Sequence, residues 1–280
     1  MSAAIDLDAY FERVGYDGPR VPTLESLRTL HERHTQTIPF ENLSPLMRAP
    51  VRLDAPALQQ KLIAERRGGY CFEQNLLFSH VLRGIGFEVA WLAARVLANT
   101  PTDGLAARTH MLLVVRVEHQ PYVADVGFGG LTLTGPLRLE IDVEQSTPHE
   151  PFRLVGQDDE LVMQAWFGGT WNSLYRFGLQ EQLLADYEIT NWYLSNHPDS
   201  KFVTNLIAAR PDPDRRYALH NTVFSVHHLN GHTERRVLDS TEAVKNVLET
   251  AFRINLPDTP ALLQSVERIV ARDTISAGSV

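Results

Sequence analysis

The stretch CFEQNLLFSHVLRGIGFEVAWLAARV, residues 71–96, changes its hydrophobic period part-way along. From Cys71 to about Leu82 the apolar residues recur at helical intervals, and Gly84 and Gly86 then close the helix. From Phe87 to Val96 the pattern is that of a strand. Upstream, helical signals dominate. Leu7 to Val14 is a short amphipathic run, and Thr23 to Thr35 carries Leu24, Leu27 and Leu30 on one stripe. Pro39 breaks that pattern, Asn42 to Ala49 reads as a loop, and Ala55 to Arg66 places Leu58, Leu62 and Ile63 on an inner face before Gly68-Gly69 ends it. Downstream, strands take over. Thr109 to Val117 and Tyr122 to Val126 form an expected hairpin, and Gly127-Phe128-Gly129-Gly130 a loop. Leu137 to Ile141, Pro151 to Val155 and Leu161 to Phe167 are further short strands, spaced as in a barrel or sandwich. A helix is expected over Gln180 to Asn191, a strand pair over Tyr217 to Leu238 turning at Asn230-Gly231, and helices over Thr241 to Ile254 and Thr259 to Arg272. Ala277 to Val280 reads as a frayed end. Helices first, strands next and a mixed tail last predict an α+β fold rather than a doubly wound sheet.

Composition narrows the function classes. The 280 residues include 26 Lys+Arg against 34 Asp+Glu, a formal charge of −8, which argues against a nucleic-acid partner. With 44% apolar and 21% charged residues the chain is in the globular range. Its longest apolar runs, such as Met111 to Val115, are too short to cross a bilayer, and Met1 to Asp8 lacks the basic and apolar regions of a secretory signal. A soluble, cytoplasmic protein without a membrane partner is expected. One cysteine, Cys71, excludes an intramolecular disulfide and a thiolate zinc cluster.

Cys71 opens its predicted helix directly after Arg67-Gly68-Gly69-Tyr70. A thiol there faces unpaired amides and the positive end of the helix dipole, both of which favour the thiolate. A lone structural cysteine would more naturally sit mid-helix on an apolar stripe. A base is within reach of the same logic. If the hairpin turns at Glu118-His119, Asp125 falls opposite Leu112, two residues from His110 on one face. Such diagonal neighbours lie about 7–8 Å apart at the backbone, close enough for an imidazole–carboxylate bond. A slip of one residue would send them to opposite faces.

These residues carry a resemblance. RGGYCFEQN at 67–75, TH at 109–110 and VADVGFGG at 123–130, with TIPFENL at 37–43, PFRL at 151–154 and NWYLSNHPDSKF at 191–202, resemble the arylamine N-acetyltransferases from about Leu7 to Leu256. The resemblance implies an N-terminal helical bundle over 1–86 carrying the nucleophile, a β-barrel over 87–195 carrying histidine and aspartate, and a mixed α/β lid over 196–280, around a cysteine-protease/transglutaminase-like core. It implies Cys71 as acetyl acceptor, His110 as base and Asp125 as orienting carboxylate, with acetyl-CoA as co-substrate, no metal, and a ping-pong transfer to arylamines or arylhydrazines. Phe40, Phe128 and Phe202 match positions bordering the acceptor, and Ala107 and Tyr193 match positions near CoA. Gln74 stands where histidine is common in the family.

Alternatives from other classes share parts of this pattern. A cysteine hydrolase or transglutaminase-like enzyme has the same Cys…His…Asp order, an amide synthase has the same fold, and a non-catalytic binding protein would not need all three residues. His31 and His34, three apart on a helix, and His227, His228 and His232 on a hairpin are expected at the surface, because no carboxylate or thiolate set accompanies them to make a metal site. The Gly127–Gly130 run is no dinucleotide fingerprint, since no βαβ unit follows it.

Overall fold

Helix starts in the N-terminal region coincide with side chains that take up an unpaired amide. Asp6 accepts from the N–H of Ala9 to begin α1 (Leu7–Val14), and Thr23 accepts from Ser26 to begin α2 (Leu24–Thr37). These and the following elements come from a computed structural model that describes residues 5–98 and 107–277. The expected fraying of the last four residues concerns a segment of which Gly278 to Val280 lie outside those residues.

A two-residue strand β1 (Phe40–Glu41), a single turn α3 (Leu43–Leu46) and α4 (Ala55–Leu58) follow. The helix expected over Ala55 to Arg66 continues beyond α4 as a π-helical stretch, Gln59–Ala64. α5 (Cys71–Ile85) runs through the middle of the helical region. Full burial of Leu76, Leu77, Phe78, Val81 and Leu82 contributes roughly 1.5–3 kcal/mol per side chain before the entropy of ordering is subtracted.

One expectation is overturned here. His31 and His34 are fully buried rather than at the surface. They continue the Leu27 and Leu30 stripe of α2 at i+4, so they face the core, where His34 has partners on both ring nitrogens and His31 on Nε2. In the other set, His227 and His228 are partly buried and His232 is exposed.

The strand region is a seven-stranded antiparallel sheet made of β2 (Glu88–Val96), β3 (Arg108–Val117), β4 (Gln120–Ala124), β5 (Leu137–Arg138), β6 (Phe152–Gln157), β7 (Glu160–Phe167) and β8 (Thr170–Glu181). Its order is β5-β4-β3-β2-β8-β7-β6. The two edges approach each other through Gln145, which exchanges backbone bonds with Phe152 and side-chain bonds with Arg138, so the sheet nearly closes into a barrel. Along β3, Met111, Leu113 and Val115 join the core shared with α5, while Leu112 joins Phe152, Leu154, Met163 and Phe177 inside the barrel.

Beyond the barrel, α6 (Leu184–Asn196) and α7 (Lys201–Thr204) lead into β9 (Ile207–Asp212), β10 (Arg215–His220), β11 (Val223–His228) and β12 (Thr233–Val237). α8 (Thr241–Thr250) and α9 (Pro260–Ala277) pack on this second sheet through Val244, Val247, Leu248, Leu262 and Val266. The sheet order is β1-β9-β10-β11-β12, so β1, from the helical region, forms one edge through Phe40↔Ala209 and Glu41↔Ala208. The expected strand pair over Tyr217 to Leu238 is thus three strands. A further difference lies at Gln180-Glu181, expected to start a helix. Both residues end β8, because Glu181 pairs with Leu92 and tertiary pairing overrides local propensity. Among the described residues no helix is long and apolar enough to cross a membrane.

Candidate active site

The hairpin turns at Glu118-His119, both with positive φ (49° and 68°), the backbone of a two-residue type I′ turn. The ladder runs Val117↔Gln120 to Leu113↔Ala124, which puts Asp125 opposite Leu112 and on the same face as His110. His110 Nε2 lies 2.7 Å from Asp125 Oδ2. The remaining ring nitrogen is left for Cys71, whose sulfur is in hydrogen-bonding reach of the imidazole. That sulfur also lies 3.7 Å from the Thr109 carbonyl oxygen. All three side chains are almost inaccessible to solvent.

Both oxygens of the Asp125 carboxylate are hydrogen-bonded, Oδ2 by His110 and Oδ1 by two further donors. Oδ1 accepts from Asn75 Nδ2 (3.0 Å) and the Gly127 amide (2.9 Å). Asn75 also donates to Met111 O and accepts from Val126 N, tying α5 to both strands of the hairpin. Burial by itself pushes the Asp125 carboxyl up, but the His110 charge and these donors hold it below the usual carboxylate range. For His110 burial works toward a lower pKa, and the adjoining carboxylate and thiol overcome it and raise the imidazole to about 10. The pair is therefore an imidazolium facing a carboxylate at neutral pH. Tyr175 and Phe128 close over the ring, with centroids 4.8 and 5.2 Å from it.

Glycine is required where the barrel meets α5. A Cβ on Gly127 would stand 2.8 Å from Cys71 Cα and 2.9 Å from Asn75 Nδ2. On the other side of the nucleophile, Glu73 accepts from the Tyr70 amide, completing the helix start, and pairs with Lys61 at 2.6 Å.

A cleft of about 290 Å³ opens onto Cys71 and His110, lined by Phe40, Phe128, Leu131, Leu174, Leu194 and Phe202 among others. Three sequence-selected phenylalanines thus share one wall with the thiol, Phe40 and Phe202 having centroids 6.0 Å apart. Ala107 and Tyr193 are exposed and do not line this cleft; each is close in sequence to a residue that does, Thr109 and Leu194. A larger hollow of about 480 Å³, edged by Arg28, Glu32 and Arg138, holds none of these groups. Among the described residues no group of three or more His, Cys, Asp or Glu side chains is arranged for a metal.

The chain matches the family model described as N-acetyltransferase over residues 23–261. It is 44% identical to the arylamine N-acetyltransferase of Mycobacterium tuberculosis over 276 residues, covering 96% of this chain and 97% of that one. The chain belongs to the arylamine N-acetyltransferases, a family of acyltransferases. The Escherichia coli arylamine N-acetyltransferase is 41% identical over 254 residues, 90% of each chain. Among solved structures, the Mycobacterium marinum arylamine N-acetyltransferase in complex with CoA superposes with a TM-score of 0.91 at 41% identity, covering 94% of this chain and 99% of that one.

Several groups of this site are not singled out by sequence reasoning. Tyr175 carries no motif that separates it from core residues, and Asn75, although it ends the RGGYCFEQN run, is given no role there. His31, whose Nε2 accepts from the Asp125 amide at 3.2 Å, is foreshadowed only by its place on the Leu27–Leu30 stripe.

Proposed function

We propose that the chain transfers an acetyl group from acetyl-CoA to the nitrogen of an aromatic amine or hydrazine through an acetyl-Cys71 intermediate. The observation that carries this reading is the Cys71–His110–Asp125 array at the base of an apolar cleft. The His110 imidazolium faces the Cys71 sulfur, which reacts in its thiolate form. The thiolate attacks the thioester carbonyl, the C–S bond to CoA breaks, and the imidazolium proton passes to the departing sulfur, leaving acetyl-Cys71, neutral His110 and CoA thiol. The amine then attacks the acetyl carbonyl and His110 takes its proton. The bond to Cys71 sulfur breaks, restoring thiolate and imidazolium. Asp125 holds the ring in orientation and stabilises its charged form through both half-reactions. Because one cleft serves donor and acceptor in turn, the kinetics are ping-pong.

Phe40, Phe128 and Phe202 flank the acceptor ring in this reading, where offset or edge contacts favour flat aromatic partners. Ala107 and Tyr193 are assigned to CoA in this reading, by their match to family positions near it. The division into 1–86, 87–195 and 196–280, supplying nucleophile, base with carboxylate, and cover, belongs to the same proposal.

The test is mass spectrometry of the intact protein with acetyl-CoA and no amine. One acetyl group on the Cys71 peptide, one equivalent of CoA released, and clearance by an aromatic amine to the N-acetyl product are expected, with no label in Cys71→Ser. No acetyl on Cys71 under these conditions overturns the reading. Clearance by water as fast as by amine replaces transfer with hydrolysis.

A further inference from the structure

Behind the cleft, a fully buried amide ties three segments together. Gln74 Nε2 donates to Pro39 O (2.7 Å), Ile38 O (3.2 Å) and Gly69 O (3.2 Å), and its Oε1 lies 2.7 Å from His34 Nε2. His34 Nδ1 lies 2.9 Å from the Tyr10 hydroxyl. The partners fix the direction of this chain. Carbonyls accept only, so the amide nitrogen faces them and its oxygen faces His34, which must then be protonated on Nε2 and accept from Tyr10 on Nδ1. Burial holds the His34 imidazole down to about 3, so the ring keeps this one tautomer across the neutral range.

The bonds also form a closed ring. The backbone carbonyl of His34 accepts from Ile38 N at 2.8 Å, Ile38 O accepts from Gln74, and Gln74 accepts from the His34 side chain. The ring grips the end of α2 from both sides, and the shortest bond it sends out goes to the residue just before Phe40. Gln74 also reaches the Gly69 carbonyl, two residues before Cys71, but by one of its longer bonds (3.2 Å), and Cys71 keeps supports of its own in the Glu73 carboxylate on the Tyr70 amide and in Asn75 on Asp125. We infer that His34 and Gln74 are positioning residues for the acceptor wall. They set where Phe40 stands against Phe202, and so act on aminolysis by aromatic acceptors rather than on acetylation of Cys71. The inference rests on the acyl-transfer reading above.

Its test compares two nucleophiles on preformed acetyl-Cys71: an arylamine, which needs the Phe40 wall, and free hydrazine, which is too small to use it. Gln74→Met keeps the volume and removes all four hydrogen bonds. The expected result is an arylamine KM raised about five- to tenfold, the equivalent of one or more lost hydrogen bonds, with Cys71 acetylation and hydrazine clearance within about twofold of the parent. Gln74→His offers one donor and one acceptor at similar reach and is expected to restore the arylamine KM. If Gln74→Met does not fold, Gln74→Asn, one methylene too short to span both partners, carries the same comparison and the same expected split. Equal loss toward both nucleophiles, no loss toward either, or a Gln74→His protein that is no better than Gln74→Met overturns the inference. Absence of acetyl-Cys71 in the parent protein overturns the acyl-transfer reading itself, a result separate from any of these.

Discussion

At the scale of single residues, the Asp125 carboxylate sets the charge state of its neighbour. Asp125→Asn keeps the shape but removes the charge that holds His110 at about 10 against burial, so the imidazole pKa must fall. Loss of that orientation and charge is expected to lower kcat/KM by roughly 10³–10⁴-fold, and to slow alkylation of Cys71 by iodoacetamide at neutral pH. Parent rates in a folded Asp125→Asn protein would remove the carboxylate from the mechanism. Gly127 makes a different kind of demand. With Cys71 Cα 2.8 Å from where a Cβ would lie, Gly127→Ala must move backbone rather than a flexible side chain. A loss of about 1–3 kcal/mol in stability is expected, with activity falling more than stability explains because the thiol shifts relative to His110. Denaturant melts and steady-state rates on the same preparation check this, and an unchanged pair would show that α5 can yield.

At the scale of elements, α2 carries a pH dependence that its sequence hides. Burial depresses His31 to about 4 and His34 to about 3. The unfolded chain therefore binds more protons than the folded one as pH drops below the ordinary histidine value, so stability is present above about 6.5 and declines as pH falls through this window. At full extent the effect is roughly 3 kcal/mol for His31 and roughly 5 kcal/mol for His34. His110 has the opposite sign. Its raised pKa contributes stability fully below about 6.5, which is lost as pH rises through about 10. Melting temperature against pH should form a dome near neutrality, and His34→Gln should flatten its acid limb. An acid limb unchanged in that variant would place the dependence elsewhere. The elements most legible in the sequence were those whose signals are local: α1 with its amphipathic run, the β3–β4 hairpin with its turn, and the Cys71 helix start. From these, Cys71, His110 and Asp125 follow by counting. β1 and β9 were not legible. Two residues carry no periodicity, and Ile207–Asp212 contains Pro211 and a buried Arg210, which becomes tolerable only once Ala251 O, Gln36 O and Asp212 surround its guanidinium. His31 and His34 were hidden for a related reason, since polar residues read as surface until the folded chain supplies their partners, while Gln74 and Asn75 stood inside the RGGYCFEQN run with partners that only the fold brings to them.

At the scale of the whole molecule, the aromatic wall depends on one asparagine. Asn42, fully buried, donates to Phe202 O (2.8 Å) and Asn205 O (2.7 Å) and accepts from Ile207 N (2.7 Å). It thereby fastens α7 and the start of β9 to the loop after β1, some 160 residues earlier in the chain. Asn42→Ala takes the side-chain partner from three backbone groups, the buried Phe202 O and the half-buried Asn205 O and Ile207 N, at a cost of roughly 1–3 kcal/mol. Its expected signature is a lower melting temperature together with a raised arylamine KM, as Phe202 loses its fixed distance from Phe40. A destabilised protein with an unaltered KM would show that the wall is held by packing alone.

The Glu118-His119 turn has a consequence for how this chain can vary over generations. It lies on the exposed outer end of a hairpin, where insertions are ordinarily tolerated, although the positive φ of both residues disfavours β-branched residues and proline. Yet the face on which Asp125 emerges is counted from it, residue by residue, through Val117↔Gln120. One added residue that reset the pairing would turn Asp125 away from His110 while leaving every residue of the cleft in the gene. The loop is thus held to its length more strictly than to its spelling, and a length scan of this turn should show activity surviving only where the strand parity is kept, with stability falling where it is not because a slip also turns the buried Val123 off its core face.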